Sequence, residues 1–114
     1  MKNIPSQDLH KRRTQLLQQM PAMDTLLRGS LIERYKRCGK PGCKCANGPG
    51  HGPKYYLSVS FTGRRPQMDY VPLKIRTDVM VSLANYYQVR DIIEEICEIN
   101  RELLRRRESL QGPQ

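Results

Sequence analysis

A chain of 114 residues, 38% hydrophobic and with a mean hydropathy of −0.69, is long enough for one domain and too short for two independent cores. It holds no run of about eighteen apolar residues, and its first fifteen, MKNIPSQDLHKRRTQ, lack the apolar segment of a secretory signal, so a soluble cytoplasmic protein with reduced thiols is expected. The formal charge of +9 is unevenly spread: residues 34–68 carry eight basic groups and no acidic one, while residues 90–114 carry five basic and six acidic, a confinement that points to a polyanionic partner.

In chain order, Pro5 and Ser6 resemble a helix start with Ser6 as N-cap, and Leu9, Leu16, Leu17 and Met20 carry helical spacing up to Pro21. Ala22 to Arg28 reads as a second short helical stretch closing at Gly29. Three strand patterns follow. Leu31, Glu33, Tyr35 and Arg37 alternate with Ile32, Arg34 and Lys36; Tyr55, Leu57, Val59 and Phe61 alternate with Tyr56, Ser58 and Ser60; Met68 to Val71 forms the third. Thr62-Gly63-Arg64-Arg65 reads as a hairpin turn between the second and third, giving a three-stranded antiparallel sheet whose apolar face needs helices to cover it.

Beyond Pro72, Thr77 and Asp78 can start a long helix whose apolar residues recur at threes and fours until Gly112-Pro113. Written as heptads, Val79, Tyr86, Ile93 and Asn100 fall at a, Ser82, Val89, Ile96 and Leu103 at d, and Leu83, Cys97 and Leu104 at e. About thirty residues extend about 45 Å, more than a small sheet can cover, so part of this helix needs another partner. The expected fold class is α+β: an N-terminal helix or helical hairpin (1–29), a β-sheet module with a zinc-binding loop (30–76) and a long amphipathic helix (77–110), together one compact domain.

The segment CGKPGCKCANGPGHG, residues 38–52, holds three of the four cysteines and one of the two histidines. Cys38, Cys43, Cys45 and His51, spaced C-x4-C-x-C-x5-H, supply the three thiolates and one imidazole of a closed tetrahedral zinc site, with reduced cysteines in a flexible loop or a redox pair as the alternative. Glycines at 39, 42, 48, 50 and 52 let a backbone curl around an ion, and three thiolates outweigh a dication by one charge, which Lys40 and Lys44 can offset. Cys97, on the apolar stripe of the last helix, reads as a small buried hydrophobe, and His10 as solvated.

Arg34, Lys36, Arg37, Lys40, Lys44, Lys54, Arg64 and Arg65 are candidate phosphate contacts, against the plainer reading of a solvated charged face. Tyr55 and Tyr56 point to opposite sides of their strand, so one can pack inward while Tyr56 stacks on an unpaired base, against the plainer reading of core or rim packing for both. The acids from Asp91 to Glu102 punctuate an amphipathic helix as a solvated face, with Arg90–Glu94 and Glu102–Arg106 able to pair four apart. With no gathered carboxylates for magnesium, no phosphate-cradling loop and no Ser/His/Asp set, an enzyme is not expected.

The stretch RGSLIERYKRCGKPGCKCANGPGHGPKYYLSVSFTGRRPQMDYVPLKI, followed by a helix rich in Leu, Ile and Glu, resembles a small family of uncharacterised bacterial and archaeal proteins with a CGKPxCxCA…HGPYYYL…YVP pattern. The resemblance covers about residues 28–108 and leaves 1–27 outside it. It is to a domain of unknown function often encoded beside transposases and other mobile-element genes, which implies nucleic acid as the setting. The expected function is therefore a zinc-stabilised nucleic-acid-binding accessory protein of a mobile element or its ribonucleoprotein, with a recombinase or similar protein as a further partner. The alternative is a non-enzymatic adaptor using the last helix for dimerisation or partner binding, with Asn100 as the polar residue that fixes register.

Overall fold

The computed structural model describes residues 1–36 and 51–111. Cys38, Cys43, Cys45, Arg37, Lys40 and Lys44 lie outside the described residues, and Lys36 and His51 are described at the backbone alone. In chain order stand helix α1 (Ser6–Gln18), strands β1 (Ser30–Lys36), β2 (His51–Phe61) and β3 (Arg64–Val71), a single 3-10 turn (Leu73–Ile75) and helix α2 (Arg76–Arg105). The molecule is α+β, with an N-terminal helix, a three-stranded antiparallel sheet and a long C-terminal helix. No helix among the described residues is long and apolar enough to cross a membrane.

The chain forms two compact units, Leu26–Ala84 and Met1–Thr25 with Asn85–Gln114. The first holds the sheet, in the order β1-β2-β3. Cross-strand pairs Leu31↔Leu57 and Tyr55↔Val71 set one face inward. There Tyr55, Leu57 and Val71 pack with Val79 and Leu83 of the first turns of α2, flanked by Leu27, Leu31 and Val59. The guanidinium of Arg76 lies 4.1 Å from the Tyr55 ring centroid, a cation–π contact at the start of α2.

Both strands β2 and β3 run further than their alternation predicts, past Pro53 and Pro66. Each proline sits at an irregularity. The register steps from Arg34↔Lys54 to Lys36↔His51 and from Val59↔Gln67 to Phe61↔Arg64, so an extra residue is accommodated where an absent N–H costs no ladder bond. A turn closes the β2–β3 hairpin where expected but over Thr62-Gly63 alone, with Gly63 at φ 74° and Arg64 and Arg65 already in β3.

Residues 22–28, expected as a helix, form none: Asp24 and Thr25 make a turn and Leu26 to Arg28 run irregularly into β1. Gly29 is therefore not a helix cap. It has φ 140°, and a Cβ there would stand 2.6 Å from the Ser58 carbonyl oxygen, so glycine is required by the close approach of this segment to β2.

In the second unit α1 packs on the remainder of α2. Ser6 is the first helical residue, with Pro5 at the N-cap and no side-chain cap, so the expected Ser6 cap is not made. The Ser6 hydroxyl donates instead to Glu108 and accepts from Arg106. Partners run backwards along the chain, Ser6 with Glu108 just beyond α2, Arg13 with Asn100, and Gln19, the C-cap of α1, with Gln88, which makes the helices antiparallel. Leu9 and Leu16 meet Ile92, Ile99 and Leu103 in the core, with Met20 and Ile96 against it.

This pairing corrects the predicted seam. The d positions Val89 and Leu103 are buried, but the second column is Ile92 and Ile99, one residue before the predicted Ile93 and Asn100. Ile93 is exposed, as are Leu104 and Cys97, so Cys97 is not the buried hydrophobe expected. Asn100 accepts a 2.6 Å hydrogen bond from Arg13 of the same chain. The helix also stops earlier than Gly112. Arg107 takes the left-handed conformation (φ 60°), and the N–H groups of Arg107 and Glu108 close on the carbonyls of Leu104 and Leu103 at 2.9 and 3.0 Å, the paired bonds that usually recruit glycine.

Candidate nucleic-acid interface

The register divides the sheet residues between two faces. Leu31, Tyr55, Leu57 and Val71 point to the core; one step away along each strand, Ile32, Arg34, Lys54, Tyr56, Ser58, Met68 and Tyr70 share the opposite face. The acids of these strands, Glu33 and Asp69, pair with Tyr55 and Leu57 and so stand on the core-facing side. The outward positions named here therefore carry two cations and no carboxylate.

Arg34 is exposed, and its Nη2 donates weakly to the Met68 sulfur at 3.7 Å. Lys54 is exposed beside it in register. Arg64 lies 4.4 Å from the Phe61 ring centroid at the hairpin end, where Arg28 also stacks at 5.2 Å and donates to the Ser60 carbonyl at 2.8 Å. Arg65 is exposed. None of Arg34, Lys54, Arg64 and Arg65 forms an ion pair among the described residues, whereas several arginines of the helical unit do: Arg12 with Glu95, Arg105 and Arg106 with Glu102. Charge on the sheet unit is left facing solvent.

The two tyrosines separate as the alternation requires. Tyr55 is buried under α2, and Tyr56 is half-buried on the outward face, edge-to-face with Tyr70 at 5.8 Å and an interplanar angle of 65°. Tyr70, Met68 and Ile32 were not among the predicted site residues. The signal was present: Tyr70 precedes Val71, whose inward direction is set by Tyr55, and period two puts Tyr70 outward.

Lys36 and His51 are cross-strand partners, the last pair of the β1–β2 ladder. Their backbones are thus about 5 Å apart. The segment carrying Cys38, Cys43 and Cys45 departs from and returns to neighbouring points, with one expected ligand, His51, at the return itself. Among the described residues no group of three His, Cys, Asp or Glu side chains converges.

Outside the sheet, two predicted solvated groups have partners. Arg13 Nη2 lies 3.0 Å from His10 Nδ1; because arginine has no acceptor, the ring nitrogen accepts. Glu102 is buried on α2 and receives bonds from Arg105 (2.6 and 3.1 Å) and Arg106 (2.8 Å), so it does not belong to a solvated acidic face. The Arg105 and Arg106 bonds hold its carboxyl below the usual range, against the opposing effect of desolvation. The Arg106 pairing is the one predicted; Arg90, by contrast, lies over Tyr87 (4.8 Å) and 4.0 Å from Asp91.

The chain belongs to the DUF6788 family, a domain of unknown function, whose model matches residues 6–76. That match takes in α1 and the whole sheet, so residues 6–27, left outside the resemblance to the Cys-rich pattern, lie within the family's domain, and it ends at the first residue of α2. No curated protein and no solved structure matches the chain.

Proposed function

We propose that this protein is a non-enzymatic, zinc-stabilised nucleic-acid-binding accessory factor, acting in the cytoplasm with a mobile element or its ribonucleoprotein. Arg34, Lys36, Arg37, Lys40, Lys44, Lys54, Arg64 and Arg65 contact phosphates. The observation that carries this reading is the segregation of charge on the sheet: Arg34 and Lys54 on the outward face, Glu33 and Asp69 turned the other way, and no ion pair neutralising the cations among the described residues. Cys38, Cys43, Cys45 and His51 hold a structural zinc ion that shapes the loop bearing Arg37, Lys40 and Lys44; the pairing of Lys36 with His51 supports the convergence of the four ligands. The ion's contribution is conformational, since four protein ligands leave no open coordination position.

A titration of labelled DNA and RNA oligonucleotides at two salt concentrations tests the proposal. Affinity falling steeply with salt is expected, with the slope reduced by about one for each phosphate-contacting cation removed, as in Arg34→Ala. Absent or salt-insensitive binding by zinc-loaded protein would overturn it. The adaptor reading keeps one specific support: Ile93 and Leu104 are exposed on α2 with Cys97 between them. Light scattering on wild type and Ile93→Asp distinguishes it. Ile96→Asp does not, because Ile96 packs against the core of its own chain.

A further inference from the structure

Phosphate binding accounts for the cations of the outward sheet face and leaves its apolar side chains without a role. Tyr70 is 56% exposed and Met68 38%, in a molecule whose other sheet face is packed. They do not stand singly. Tyr70 is the cross-strand partner of Tyr56, Met68 that of Ser58, and Ile32 flanks Tyr56 from β1, so an aromatic and apolar strip crosses the three strands with Arg34 and Lys54 on the same face.

A duplex would meet such a face poorly. Its phosphates are outward but its base faces are stacked inside, and Tyr70 would touch only backbone. An unpaired strand offers both phosphates and ring faces, and stacking on tyrosine tolerates any base. Geometry also sorts the two rings. At 65° to each other they cannot both lie flat under one base. The more exposed Tyr70 is the stacking member, and Tyr56 braces it edge-on. The Arg34 guanidinium, held by the Met68 sulfur alone among the described partners, gives up little when it turns to a phosphate, because a thioether is a weak acceptor.

We infer that this face is a stacking platform for single-stranded nucleic acid, with Tyr70 carrying a base, Tyr56 supporting it and Arg34 and Lys54 taking the adjoining phosphates. The inference rests on the nucleic-acid reading above and adds the strandedness of the ligand and the residue that selects it.

The test is fluorescence anisotropy with one labelled oligonucleotide, presented as a single strand and as its duplex, against wild type, Tyr70→Ala, Tyr70→Phe and Arg34→Ala at two salt concentrations, circular dichroism confirming folding. Wild type should prefer the single strand. Tyr70→Ala should weaken single-strand binding on the order of tenfold with an unchanged salt slope, and Tyr70→Phe should bind as wild type, since the ring face is kept. Arg34→Ala should lower the slope instead. Equal single-strand and duplex affinity, untouched by Tyr70→Ala, would overturn the platform and leave phosphate binding standing; no binding by wild type to either would remove both. A Tyr70→Ala effect on sedimentation of the free protein, without one on strand affinity, would make the face an interface between copies and overturn the inference as well.

Discussion

At the scale of single residues, Glu102 shows how α2 tolerates a carboxylate in a buried position. Two arginines from the next turn donate to it, and one of them, Arg106, goes on to the carbonyls of Met1 and Lys2 and to the Ser6 hydroxyl. Because the folded-state carboxyl titrates below its unfolded value, its contribution is present above the ordinary carboxylate range of about 4.3 and is lost as pH falls through the folded value. Glu102→Gln should melt below wild type at neutral pH, and the gap should close as pH falls below the ordinary carboxylate range. Thermal melts across that range check it; a gap that does not narrow would mean the two proteins differ by packing alone. Glu95, held low by the Arg12 hydrogen bond, adds a similar acid limb to both proteins and cancels in the difference. Glu102 was not legible as buried, because its burial depends on which side of α2 receives α1.

At the scale of elements, the same choice of side explains what the helical periodicity could and could not decide. Along α2 the apolar residues come as adjacent couples, Ile92 with Ile93, Ile96 with Cys97 and Leu103 with Leu104. A repeat near three and a half residues fits either member, so the period identifies a helix but not its buried column. Contact with Leu9 and Leu16 decides it. Ile99→Ala, at a fully buried position, should cost about 2–5 kcal/mol, whereas Ile93→Ala should fall within about 0.5 kcal/mol of wild type. Chemical denaturation measures both, and equal costs would contradict the seam.

The sheet was more legible, since strict alternation fixes two faces at once and a slip of one residue would bury Arg34 and expose Leu31. What alternation missed were the strand ends: around Pro53 and at Arg64 to Gln67 pairing is dictated by the backbone of the neighbouring strand and not by an apolar pattern. The stretch after Pro21 failed for the opposite reason. Its residues favour a helix locally, but it is too short to sustain one without an apolar face to bury.

At the scale of the whole molecule, the metal is the proposal with the widest consequence. If Cys38, Cys43, Cys45 and His51 hold zinc, reduced protein should carry about one equivalent of the metal by elemental analysis, a strong chelator should lower its melting temperature, and Cys43→Ser should melt like the chelated wild type. Metal-free protein with an unchanged melt would remove the zinc from the proposal. The candidate site divides accordingly. The expected ligands could be proposed from spacing, because Cys38, Cys43, Cys45 and His51 fall within fourteen residues, while the pairing of Tyr70 with Tyr56 required knowing which strands are neighbours.

Among the described residues, the order β1-β2-β3 leaves an open row of backbone donors and acceptors along each outer strand, an invitation to any extended peptide. On β3 that row begins Arg64-Arg65-Pro66: two like charges repel a second copy, and the imino residue withholds a donor. The sheet is thereby guarded against lengthening into a fibre at the rim nearest Tyr70, and association there is left to side chains on the broad surface.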